Sequence, residues 1–289
     1  MILPVPVPAA RAAVPAWLPV VLGLFVLYVP TYRDIAAIFW TNEQGAHGPV
    51  VLAMWFWLVW RHRAALTHEH RTPGAAMLGW SAIALGAVLY ALGRSQQLFQ
   101  LEAGSQLLIL PGITLVLAGA AATRRLWFVW VFLLFTVPLP GSLVDALLVP
   151  MKELVSATVT QMLFVVGLPI ARDGVVIYVG HYQLFIADAC SGLNGLVALT
   201  AVGVLYVYVA RHKAASLNLL LIAAIVPVAM AANWARVTAL VLATYYGGDA
   251  LGQQLHDYVN YVEIVLAFGA FFLLDHVARF GLRLAERRQ

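Results

Sequence analysis

Charge is scarce in this chain. Asp, Glu, Lys and Arg make up 10% of its 289 residues, against about 25% in ordinary soluble domains, which excludes a soluble globule. Sulfur chemistry is scarcer still, with one cysteine, Cys190. A single thiol excludes an intramolecular disulfide framework and any multi-thiolate metal site. There is no internal repeat, low-complexity tract or domain linker, the longest polar stretch being Arg61 to Pro73. The whole chain, 1–289, therefore reads as one integral domain. Met1 to Pro15 is rich in Pro and Ala and has no short apolar core followed by a small-residue cleavage site, so it does not read as a removed signal peptide.

What the chain has in abundance is apolar sequence. Hydrophobic residues make up 63% of it and the mean hydropathy is +0.87, the composition of a polytopic membrane protein. Apolar runs lie at 16–32, 48–60, 75–93, 106–122, 126–140, 189–210, 214–245 and 258–278, most of them near the roughly 20 residues that cross about 30 Å of hydrocarbon. The expected fold is all-α, with about eight transmembrane helices. With the amino terminus inside and eight crossings, 12 of the 17 Lys and Arg residues fall on the inner side and 5 on the outer, as the positive-inside bias requires. The net charge of +4 is thus explained by topology, and no nucleic-acid partner is assigned.

Two segments depart from the spanning pattern. Leu143 to Pro169 is interrupted by Lys152 and Glu153, contains Pro150, and carries Ser156, Thr158, Thr160 and Gln161. It is expected to lie on the outer leaflet as an amphipathic helix rather than to cross. Val175–Val179 and Tyr182–Ile186 are β-branched and aromatic runs separated by Gly180-His181, which predicts a small β-hairpin outside the hydrocarbon. Such a hairpin offers one wall of a groove that takes an extended peptide by strand addition.

The hairpin leads into Asp188-Ala-Cys-Ser-Gly-Leu-Asn-Gly195, and this is where chemistry is expected. Cys190 begins a span that enters from outside. Arg236 lies in the span that returns outward, and His256 precedes the last span. Three distant segments thus bring a thiol, a guanidinium and an imidazole to one leaflet. A thiol at a helix N-terminus beside cations is biased towards the nucleophilic thiolate. His256 would take and return a proton. Arg236 would stabilise an oxyanion or hold a substrate carboxylate, with Asp249, Asp257 or Glu263 as alternative structural partners. His47 and His181 are further outer-side histidines, and His47 is placed to line the same cavity. The group His62, His68, Glu69 and His70 is read as a solvated loop rather than a metal site, and Trp55, Trp57 and Trp60 as lipid-facing or interfacial packing.

At these residues the chain resembles the exosortases, bacterial membrane relatives of the archaeosortases. The likeness rests on Asp188-Ala-Cys-Ser-Gly-Leu193, Asn233-Trp-Ala-Arg-Val237 and His256, with His47-Gly48, Val59-Trp-Arg61 and Gly167-Leu-Pro-Ile-Ala-Arg-Asp-Gly174 in support. It covers nearly the whole chain and is nearest the type B subgroup. Many members have Glu where Asp188 stands, and a basic residue is frequent where Leu193-Asn194 follow Ser191-Gly192. The resemblance implies a cysteine transpeptidase-like protease of the bacterial inner membrane, its site facing the periplasm, with Cys190 as nucleophile and Arg236 and His256 completing the site. Asp188, Ser191, Asn194, Asn233 and His47 would support the site or bind substrate. It further implies substrates with a carboxy-terminal Pro-Glu-Pro (PEP-CTERM) sorting signal, a thioester acyl-enzyme, and a link to exopolysaccharide and biofilm production. Membrane lipids are the remaining expected partners, and the chemistry needs no cofactor. The competing reading is a transporter or assembly subunit of a polysaccharide export system, which accounts for the spans and the intramembrane arginine but not for the thiol, the imidazole or the hairpin.

Overall fold

The computed structural model describes residues 17–41, 45, 47–67, 73–185, 192–212 and 214–286. Helix α1 (Trp17–Ile35) runs on through a π-helical turn, Ala36–Trp40. Then come α2 (Gly48–Arg61), α3 (Pro73–Gln96), α4 (Phe99–Gly104), α5 (Gln106–Leu117), α6 (Gly119–Arg125), α7 (Trp127–Phe132) and α8 (Gly141–Val165). Strands β1 (Ile170–Asp173), β2 (Val176–Val179) and β3 (Tyr182–Phe185) precede α9 (Gly192–Ala210) and α10 (Ala215–Glu286). Each of the eight apolar runs carries helix. Five stretches, Trp17–Trp40, Pro73–Gln96, Phe99–Leu117, Ala215–Gly248 and Val262–Gly281, are long and apolar enough to cross a membrane, while α2 and the Leu196–Ala210 part of α9 are apolar but shorter. The chain is an all-α polytopic membrane protein with one small sheet.

Two sequence expectations are adjusted. The run at 126–140 gives only ten helical residues, Trp127–Thr136, because Pro138 and Pro140 remove backbone donors just beyond it. It meets α8 at 90°, so the two cannot both follow the membrane normal. Helix α8 passes through Pro150 without ending. The predicted hairpin is a three-stranded antiparallel sheet in the order β1-β2-β3, with Ile170 opposite Val179 and Val176 opposite Phe185.

Helix α3 reaches α4 and α5 through a glycine every seventh residue. A Cβ on Gly79 would come within 2.8 Å of the Gly112 carbonyl, on Gly86 within 2.6 Å of Ile109 Cγ1, and on Gly93 within 2.4 Å of the Glu102 backbone nitrogen. Small residues let helix backbones approach closely where no hydrophobic force separates helix from lipid. Polar groups fasten the same end of this layer. Glu102 is buried and accepts from Thr31 Oγ1 (2.6 Å) and Arg94 (3.1 Å), and Arg94 also pairs with Asp34 at 2.6 Å. Tyr28 meets Ser105 at 2.7 Å.

The second layer is α10, which folds back on itself. Gly248 (φ 81°, ψ 174°) divides it into two arms, 215–247 and 249–286, at a backbone setting open almost only to glycine. One face of the first arm, Trp234, Val237, Val241 and Tyr245, packs on Val155, Val159 and Leu163 of α8 and on Ile177 and Val179 of β2. Ser156 of α8 donates to the Gly174 carbonyl in the β1–β2 turn at 3.1 Å. Another face, Leu221, Ile225 and Ala229, packs with Leu199 of α9 and with Ala267 and Phe271 of the second arm. The sheet, α8 and the hairpin-shaped α10 are thereby locked together.

Candidate active site

Arg236 occupies the centre of this arrangement. Its side chain is fully buried, and Nη1 donates to Glu263 Oε2 at 3.1 Å. Glu263, one of the three acidic partners considered from sequence, pairs with it, while the side chains of Asp249 and Asp257 lie outside the described residues. The fold-back at Gly248 sets this pairing, since it aligns Leu240 with Val259 and Arg236 with Glu263 across the two arms. A charge this deep is costly unless paired. Asn233, one turn earlier, is likewise buried at 4% exposure. Their neighbours Trp234 and Val237 face α8 and the sheet.

Glu263 opens the apolar stretch Val262–Gly281. The ion pair thus sits where the polar part of the second arm gives way to its membrane-spanning part. Glu263 shares a small cavity with Ala198 and Leu199 of α9. Gly192, the first residue of α9, is six residues earlier, about 9 Å along the axis. His256 precedes Glu263 by seven residues, or about 10 Å of helix. The backbones of His256 and of the start of α9 therefore stand at about the same height, on the same side of the Arg236–Glu263 pair.

Asp188, Cys190 and Ser191 lie outside the described residues, as do the side chains of Asn194 and His256. The backbone of α9 begins two positions after Cys190. His47 is the N-cap of α2, the helix whose Val51 shares a core cluster with Ala201 of α9. The His47 Nδ1 is buried with no hydrogen-bond partner among the described residues, and burial pushes its imidazole below the usual histidine range. His181 is exposed in the β2–β3 turn. His62 Nε2 lies 3.0 Å from Tyr208 Oη, while positions 68–70 of the same loop are outside the described residues. Trp57 and Trp60 are exposed, whereas Trp55 is half-buried and donates to the Val129 carbonyl at 3.1 Å.

Two polar clusters were not anticipated. One is Asp34, Arg94 and Glu102. The other gathers Tyr206, His212 and Arg279 around Asp275, with His212 Nε2 at 3.3 Å and Arg279 Nη2 at 2.7 Å. The signal for both was present, because Glu102 and Asp275 are acidic residues next to or inside apolar runs, where a carboxylate needs a partner.

The sequence model of the transmembrane exosortases matches residues 39–273. No curated protein and no solved structure matches the chain. The matched region takes in the segment around Cys190, the Arg236–Glu263 pair and His256, together with the sheet that adjoins them. With most of its length inside that match, the chain belongs to the transmembrane exosortase family.

Proposed function

We propose that this protein is a membrane cysteine peptidase or transpeptidase that cleaves carboxy-terminal sorting signals of the PEP-CTERM type at the periplasmic face of the inner membrane. The observation that carries this reading is the buried Arg236–Glu263 pair, set at the edge of the apolar zone next to the helix that follows Cys190. The Cys190 thiol gives its proton to His256, and the resulting thiolate adds to the scissile carbonyl. The tetrahedral adduct collapses to a thioester as the C–N bond breaks, and His256 returns the proton to the departing amine. Water or an acceptor amine then releases the acyl group.

Arg236 is better suited to the oxyanion than to a substrate glutamate. Glu263 already supplies it with a carboxylate, so a second carboxylate gains less than it would from a bare cation. An oxyanion appears only in the transition state, where a fixed donor in a water-poor site is most effective. Asn233 and His47 are supporting residues in this reading.

The test is co-expression with a reporter bearing a Pro-Glu-Pro motif, a membrane helix and a basic tail. The parent is expected to process the reporter and Cys190→Ala is expected not to. Undiminished processing in Cys190→Ala would leave transport or assembly of an export system as the better reading.

A further inference from the structure

A long apolar groove lies between α1, α2 and α5, away from Arg236. Its volume is about 640 Å³, and it follows α1 from Trp17 to Arg33, roughly 24 Å of helix. Leu24, Phe25, Leu52, Phe56, Leu110 and Ile113 supply much of its wall. The groove follows the candidate span Trp17–Trp40, so acyl chains of the surrounding bilayer are the groups at hand to fill it.

The groove is not apolar at its upper end. Arg33 stands exposed at the rim. The neighbouring carboxylate, Asp34, is already engaged by Arg94 at 2.6 Å, and no acidic group pairs with Arg33 among the described residues. Below the rim is Gln106, 3% exposed. Tyr32 Oη donates to Gln106 Oε1 at 2.9 Å, which fixes the amide so that Nε2 is its free end. That Nε2 is buried without a hydrogen-bond partner among the described residues, an arrangement that costs free energy unless an acceptor is supplied. The order along the groove is a cation, then an unsatisfied donor, then apolar wall.

We infer that the groove between α1, α2 and α5 binds one anionic glycerophospholipid, with its phosphate at Arg33, an ester carbonyl at Gln106 Nε2 and an acyl chain along the apolar wall. The headgroup attraction follows the usual pairing of Arg with phosphate. The site is independent of the catalytic reading and stands whether or not the protein is a protease.

Native mass spectrometry of the full-length protein in detergent, offered phosphatidylglycerol or phosphatidylcholine, tests this. The parent is expected to retain one phosphatidylglycerol in preference to phosphatidylcholine. Arg33→Gln, at an exposed position, is expected to weaken phosphatidylglycerol retention about tenfold and phosphatidylcholine, whose choline cation offsets its phosphate, by less. Ile113→Trp, which fills the groove, is expected to reduce both, with helix content by circular dichroism confirming that the variant folds. Equal retention of the two lipids by the parent, or retention of phosphatidylglycerol untouched by Arg33→Gln, would overturn the proposal. So would a photo-crosslinker at Leu24 that captures a polypeptide rather than lipid in native membranes.

Discussion

The Arg236–Glu263 pair gives the sharpest quantitative expectation. Both side chains are buried, at 0% and 7% exposure, and their charged atoms are 3.1 Å apart. Removing one partner takes from the other the buried opposite charge beside it, which costs about 3–5 kcal/mol. Replacing both with apolar residues of similar size removes the need for compensation. Arg236→Leu and Glu263→Leu are therefore each expected to destabilise by that amount, and the double variant by less than the sum of the two, with a coupling of about 2–3 kcal/mol. The assay is a double-mutant cycle on denaturant unfolding in detergent, followed by intrinsic Trp fluorescence. Glu263→Gln separates charge from shape, since it keeps an acceptor beside Nη1 but removes the anion, and it is expected to fall between the parent and Glu263→Leu. Single variants that cost under about 1 kcal/mol, or costs that simply add, would refute the view that the two charges depend on each other.

Three further outcomes follow from the packing. Gly93→Val is expected to be among the most disruptive changes in the first layer, because even a Cβ there meets the Glu102 backbone at 2.4 Å; accumulation of folded protein on size exclusion measures it, and normal yield would contradict the close contact. Gly248→Ala is expected to cost about 1–3 kcal/mol through its backbone setting alone, read from the same unfolding assay, with no loss expected at Gly269→Ala, where the added methyl meets open space. Glu102→Leu is expected to cost about 3 kcal/mol or more, since it strands Arg94 and Thr31, whereas Asp34→Asn, at a side chain 41% exposed, is expected to cost under about 1 kcal/mol. Equal effects at Glu102 and Asp34 would mean that burial does not govern this cluster.

Much of the helical framework was legible because membrane spans announce themselves by length and apolarity, and every apolar run does carry helix. What escaped the sequence has identifiable causes. Strand β1, Ile170–Asp173, buries only Ile170, so it shows no alternation to read. The shortened helix before α8 is ended by prolines that an average over apolar residues overlooks. The pairing of Arg236 with Glu263 was one of three options in the sequence, because it depends on where the chain turns back. Gly248 sets that register, and the pair Gly247-Gly248 does not reveal in advance which of the two takes the positive φ. Glu102 and Asp275 stood out by charge alone, but which groups would surround them depends on helix pairings that spacing does not encode. Of the residues proposed for chemistry, Arg236 and Asn233 are buried together on one helix, and His47 caps α2.

The first arm of α10, with its turn at Gly248, extends 34 residues, about 50 Å of helix against a hydrocarbon layer of about 30 Å. That is some 20 Å more than an upright crossing uses, a surplus that a helix takes up by tilting or by standing clear of the lipid, and the sheet and α8 are bolted to its Gly248 end through Val237, Val241 and Tyr245. Standing clear, that end would form a stalk of fixed height. A polypeptide emerging from the lipid beside it needs about six extended residues to climb from the base of the stalk to its tip, so the length of a spacer, and not only its composition, decides which of its peptide bonds arrives at a given level.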